Sequence, residues 1–251
     1  TDTVNLKIPA GNYSKVALVV DAPNAEIENK GVFQSITIHA IKENTWIEEA
    51  IGNNLKIEAA KARAVIGEGA KVDWVDLSQM GAEIELEING AVSSVAVSAT
   101  MKIKFTGNTP IEVPIIIGAN AGGTELTASV PVSVATDADA NIILNKGAEG
   151  SKVKINLKSL LVKLTNSTGK PVETTNADGI KRTVASTGIA TTIAQTTPTS
   201  SSGSYQTGSS SGSSGSGSSG STVKHTLPTF TLKAAYKVET TTKGAIWFDK
   251  N

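Results

Sequence analysis

The chain has 251 residues, with 23 Lys plus Arg balanced by 23 Asp plus Glu, and no cysteine. Zero net charge and only two arginines, Arg63 and Arg182, argue against a nucleic acid or anionic membrane partner. The missing thiols exclude disulfides and thiolate metal sites. Hydrophobic residues make up 39% but aromatics only 4%, so any core is built from Val, Ile, Leu and Ala. Such residues suit a narrow interior between closely spaced strands. No apolar run reaches the roughly 18 residues that a membrane span needs. The chain opens at Thr1 without Met, which we read as a processed protein or an excised piece.

Residues 1–14 hold one strand, Val4 to Ile8, and the turn Pro9-Ala10-Gly11-Asn12. This segment is expected to be a first rung or a cover for the exposed end of a strand stack. Three strands follow, at Val16–Val20, Ala25–Glu28 and Ser35–His39, with Val or Ile at every second position. Period-two alternation predicts strands, and the Asp, Asn and Gly corners between them suit sharp bends. Residues 41–54, "IKENTWIEEAIGNN", break the alternation and read as an insertion at a corner.

The unit then repeats, at Leu55–Ala59, Arg63–Ile66, Val72–Leu77, Ile84–Ile88, Val95–Ser98 and Met101–Phe105. It continues more loosely to about Asn166, with corners at "DADAN" and "NKGAEG". With the insertion removed, equivalent corners recur about every 23 residues, within the range that marks solenoids. Strands this short cannot bury a face alone. Coiling about three per turn around one axis buries every inward residue against the rungs on either side. The expected fold is therefore all-β, a right-handed parallel β-helix of about six to eight turns. A β-sandwich or pilin-like domain is the alternative.

Three segments carry a family resemblance: "VDAPNAEIENKGVFQSITIHA", "LKIEAAKARAVIGEGAKVDWVDLS" and the later "VKLTNSTGKPVETTNADG". They resemble right-handed parallel β-helix modules of secreted and surface proteins of Clostridia and Paenibacillus-type bacteria. The resemblance spans about residues 1–195 and is a pattern of strands and corners, with no catalytic signature. It implies an extracellular, cell-surface location and a structural or adhesive role.

Beyond Asn166 the pattern changes. Thr-rich strands at Val172–Thr175 and Thr183–Ala185 flank the turn Asn176-Ala177-Asp178-Gly179, which reads as a C-terminal cover. The expected division is a β-helix domain over 1–198, a Ser/Gly-rich flexible linker over 199–222 and a strand-like segment over 223–251. The last segment is too short for its own core, and reads as the start of a following domain or a donor strand.

Candidate sites are few. Trp46 with Glu43, Glu48 and Glu49 forms an aromatic–carboxylate group in the 41–54 insertion. A ring can stack on the apolar face of a sugar while carboxylates accept its hydroxyl protons, so a cell-surface glycan is one expected partner and another surface protein a second. The plainer reading is that Trp46 packs under its loop. Glu83, Glu85 and Glu87 form a carboxylate row on one strand. Neighbours two apart lie about 6.5–7 Å from each other, a spacing compatible with an inverting glycosidase pair. The plainer reading is a solvated face beside Lys102 and Lys104. Asp137, Asp139 and Asn141 could offer oxygens to Ca²⁺, but lack the Gly and closing Glu of a calcium loop. His39 and His225 have no second His or Cys placed for a metal. No cofactor is expected.

The expected function is a non-catalytic structural or display module of a bacterial surface protein. A polysaccharide lyase or hydrolase, or a strand-exchanging subunit, is the alternative. Limited proteolysis of the native chain is expected to cut first within 199–222 and to leave a resistant core of about residues 1–195. Equal cleavage throughout that core would remove the proposed boundary.

Overall fold

A computed structural model describes residues 4–42, 46–193, 238–240 and 246–248. Among these residues every regular element is a strand. In chain order they are β1 (Val4–Ala22), β2 (Ala25–Ile41), β3 (Trp46–Glu48), β4 (Ile51–Ile57), β5 (Lys61–Ile66), β6 (Lys71–Leu77) and β7 (Glu83–Ile88). Next come β8 (Ala91–Val92), β9 (Val95–Val97), β10 (Lys102–Gly107), β11 (Ile111–Ile117), β12 (Thr124–Ala128), β13 (Val132–Thr136) and β14 (Ala140–Leu144). The series ends with β15 (Lys152–Ile155), β16 (Val162–Asn166), β17 (Val172–Thr175), β18 (Lys181–Val184) and β19 (Ala190–Thr192). Two compact units emerge, residues 1–200 and 201–251. In the second, β20 (Val238–Thr240) pairs antiparallel with β21 (Ile246–Phe248). The expected linker and most of the segment 223–251 lie outside the described residues.

The first unit is a parallel β-helix of about eight turns. Each strand pairs in parallel with its equivalent one turn later: β3 with β5, β5 with β7, β7 with β10 and β10 with β12. A second stack runs through β4, β6, β9, β11, β13 and β15. Register shifts bend the longer strands. In β1 they fall between Ile8 and Gly11, between Tyr13 and Ala17 and between Val20 and Asp21, which breaks one long strand into short segments. This arrangement replaces the β-sandwich alternative.

The interior follows from alternation plus stacking. One inward column runs Ile27, Trp46, Ala64, Leu86, Phe105, Ala128 and Leu144, each the Cα partner of the next. All seven are buried. The two aromatic rings are each followed one turn on by an alanine, so the large side chain takes volume that its neighbour gives up. A second column on the other stack is Ile38, Ile57, Leu77, Val97 and Ile117.

Corners set how closely turns approach. Gly107 has φ +119, and a Cβ there would lie 2.1 Å from the carbonyl oxygen of Ile88. Only glycine fits both that backbone conformation and that separation.

The 41–54 segment differs from its expectation as an insertion. β3 lies within it as a rung, paired to β2 on one side and β5 on the other, and β4 begins at Ile51. The Glu-rich, non-alternating text hides this because two of the inward positions are Trp46 and the polar Glu48. Residues 43–45 are outside the described set.

The two ends of the coil differ. At the C-terminal end β18 pairs antiparallel with β17, and β19 antiparallel with β16. Antiparallel strands end the parallel ladder, and Ile193 is buried against the core. At the other end β1 pairs with β2 alone among the described residues. Its inward Val4 and Leu6 are 51% and 44% exposed.

Val97 is 1% exposed and stacked between Leu77 and Ile117. Val97→Asp places an unpaired charge in that column and is expected to abolish the cooperative thermal transition of the coil. Circular dichroism melting checks this, and an unchanged midpoint would show that the inward face is misassigned.

Candidate functional site

Two clusters of chemistry-bearing side chains stand on this frame, one inside the coil and one on its surface. The inner cluster is the aromatic–carboxylate group. Trp46 and Glu48 alternate with exposed Ile47 on β3, so both point inward and both are fully buried. Glu48 Oε1 accepts from Asn29 Nδ2, Asn53 Nδ2 and the Ala50 amide, each at 3.0 Å. Its Oε2 accepts from Trp46 Nε1 at 3.2 Å and again from Asn29 Nδ2 at 3.1 Å. The asparagines are fixed in turn: Asn29 Oδ1 accepts from the Gly31 amide, and Asn53 Oδ1 from the Phe33 amide.

The structure therefore brings Trp46 and Glu48 together but seals both from solvent. Buried like this, the indole cannot stack on a sugar. Glu49 faces out and pairs with Lys30 at 3.1 Å, and Glu43 lies outside the described residues. The role that the geometry gives to Trp46 is the plainer one, packing. Asn29 and Asn53 were not singled out from sequence. Their signal is an Asn at an inward position of an otherwise apolar alternation, which is legible only once the register is known.

A carboxylate without a cation is unusual in such an interior. Burial pushes the Glu48 pKa up, and the hydrogen bonds from Asn29, Asn53, Ala50 and Trp46 hold part of that rise back.

The outer cluster is the face made by β5, β7, β10 and β12. Its rows alternate in sign turn by turn: Lys61 and Arg63, then Glu83, Glu85 and Glu87, then Lys102 and Lys104, then Glu125. Between the columns lies a shallow trough of about 380 Å³. Glu83 pairs with Lys102 at 3.5 Å and Glu85 with Lys104 at 3.4 Å. Arg63 reaches Glu85 at 3.9 Å and makes its shortest contact to Glu87. Asn89 Nδ2 donates to Glu87 at 2.9 Å and Thr106 Oγ1 to Glu85 at 3.2 Å. Each glutamate of the β7 row is thus matched to a cation on an adjacent turn. Parallel register places unlike charges opposite each other, and exposed pairs of this kind contribute at most about 1 kcal/mol each.

The remaining candidates are turn structure. Asp137 Oδ1 accepts from Asn156 Nδ2 at 2.8 Å, and Asp139 Oδ1 from the Leu161 amide at 2.7 Å. Among the described residues no three His, Asp or Glu side chains cluster as metal ligands would. His39 Nδ1 sits 3.0 Å from Glu58 on the next turn. His225 lies outside the described residues. No helix is long and apolar enough to cross a membrane among them.

No protein-family model, curated protein or solved structure matches this chain.

The buried carboxylate gives a signed pH dependence. With its pKa raised above 4.5 in the folded state, Glu48 binds a proton there that the unfolded chain has released. Its contribution to stability is then greatest at acid pH and falls as pH rises through that interval. Glu48→Gln removes the titration, and its NH2, at either oxygen's position, faces at least two existing donors. It is expected to cost about 1–3 kcal/mol at acid pH, with a flatter pH profile. Thermal melts from about pH 4 to about pH 8 check this. An unchanged slope in the variant would show that Glu48 does not titrate as placed.

Proposed function

We propose that the chain is a non-catalytic structural module that spaces or displays other domains on a bacterial cell surface. The observation that carries this reading is the coil itself. An apolar column runs unbroken from Ile27 on β2 to Leu144 on β14, and the charged face is occupied by pairs between turns. About eight turns at ~4.8 Å each give a stiff rod of about 38 Å. Every inner turn is held by backbone ladders on both sides, so the rod transmits position from one end to the other with little bending.

Hydrolysis of a glycosidic bond needs two carboxyl groups in different states, one kept protonated and one ionised. On the β7 row each carboxylate has a lysine or arginine partner on an adjacent turn, so all three stand in like surroundings. Nothing in the arrangement separates an acid from a base. A surface location accords with the family resemblance of the strand and corner pattern and with the thiol-free sequence.

The whole chain, incubated with a panel of plant, fungal and bacterial polysaccharides, is expected to release no reducing ends or unsaturated products. Turnover that disappears on Glu85→Gln would overturn the reading. Surface placement is checked separately, by accessibility of the chain to antibody and to added protease on intact cells of its source. A chain protected until lysis would overturn that part.

A further inference from the structure

Trp74 is a large apolar side chain in an unusual position. Its exposure is 41%, whereas Trp46 is fully buried. It stands on β6 where the register against β4 breaks, so that Val72 pairs with Asn53 and Trp74 with Asn54. The shift leaves Asp73 and Trp74, consecutive in the chain, both facing solvent. On the following turn the Val75 amide donates to the Ser94 carbonyl, which places Ser94 beside Trp74. The neighbours of the indole on both adjacent turns are therefore shorter than it is, and it stands above them.

The surroundings are polar and balanced. Asp73 is half-exposed and lies 3.5 Å from equally exposed Lys71. A Cβ at Gly52 would come within 3.7 Å of Asp73 Oδ2, so the missing side chain leaves the carboxylate open toward the preceding turn. Tryptophan is strongly buried on average. A ring left out of the core on a corner of small polar residues has an apolar surface to offer and acceptors at its rim.

We propose that this corner binds a neutral hexose oligosaccharide, with one pyranose ring lying on the Trp74 indole and its hydroxyls hydrogen-bonded by Asp73 and Asn54. The apolar C–H face of a pyranose matches an indole, and its equatorial hydroxyls donate outward to a carboxylate and an amide oxygen. Lys71 and Asp73 cancel in charge, which favours an uncharged ligand. An exposed ring between short neighbours takes a flat pyranose, whereas an extended peptide needs a groove or a free strand edge. The site lies on a different part of the coil from the β7 row. It does not depend on the display role, because a chain that binds no sugar can still space domains.

The test is titration calorimetry of the whole chain with cellohexaose, laminarihexaose, mannohexaose and chitohexaose, beside an oligolysine peptide as the contrasting ligand. At least one hexaose is expected to bind, in the weak range usual for a single stacked ring. Trp74→Ala is expected to weaken that binding by about tenfold or more. Asp73→Asn, at an exposed position, is expected to weaken it by a smaller factor. Thermal melts of both variants are expected to match the parent. Absence of binding by all four hexaoses overturns the proposal, as does unchanged affinity in either variant. Trp74-dependent binding of the oligolysine instead of a hexaose also overturns it.

Discussion

Everything in this coil depends on parallel stacking in register. A strand of three to seven residues has too little inward surface to be stable alone, and it gains a core only because its equivalent on the next turn presents the same face. Backbone hydrogen bonds fix the distance between turns at about 4.8 Å. Side chains one turn apart are then in contact whatever their identity. Residue choice at one turn constrains the turns beside it. Ala64 follows Trp46 and Ala128 follows Phe105 for this reason.

The same stacking explains the polar exception. Glu48 occupies the inward column that also holds Asn29 and Ile66. A carboxylate there would be costly if isolated, but a corner brings two asparagines, an indole N–H and a backbone amide within hydrogen-bond distance. These donors join β2, β3 and β4. The cluster ties the second and third turns together at the place where the chain passes through the least regular text of the coil.

On the outer face, stacking turns sequence rows into charge ladders. A row of like charges on one strand repels itself weakly, yet rows of opposite sign one turn away neutralise it. The Glu83, Glu85 and Glu87 row is bracketed by Arg63 on one side and by Lys102 and Lys104 on the other. On this face every carboxylate of the β7 row lies beside a cation of a neighbouring turn. The corner at Trp74 is the contrasting case, because there a large ring meets short neighbours on both adjacent turns and remains uncovered.

Alternation of Val and Ile with polar residues, interrupted by Gly, Asn and Asp, determined by itself that this chain forms short strands joined by tight corners; the corner spacing pointed to a parallel β-helix, and the stacking of turns decided for it over a β-sandwich. Strand positions such as Ile84–Ile88 and Val172–Thr175 follow directly, because period two is a local property of the text. The ion-paired character of the β7 row was also legible, from the lysines one repeat away. The tertiary structure alone decided which polar residues turn inward. Trp46 and Glu48 lie in a non-alternating stretch, and nothing local distinguishes a loop that offers a ring to solvent from a rung that buries it. Trp74 was hidden for the opposite reason: it sits within a strand of ordinary appearance, and a break in register sends it outward. Both depend on which residue of the neighbouring turn lies opposite, and that is set by the lengths of the corners between them rather than by the residues themselves.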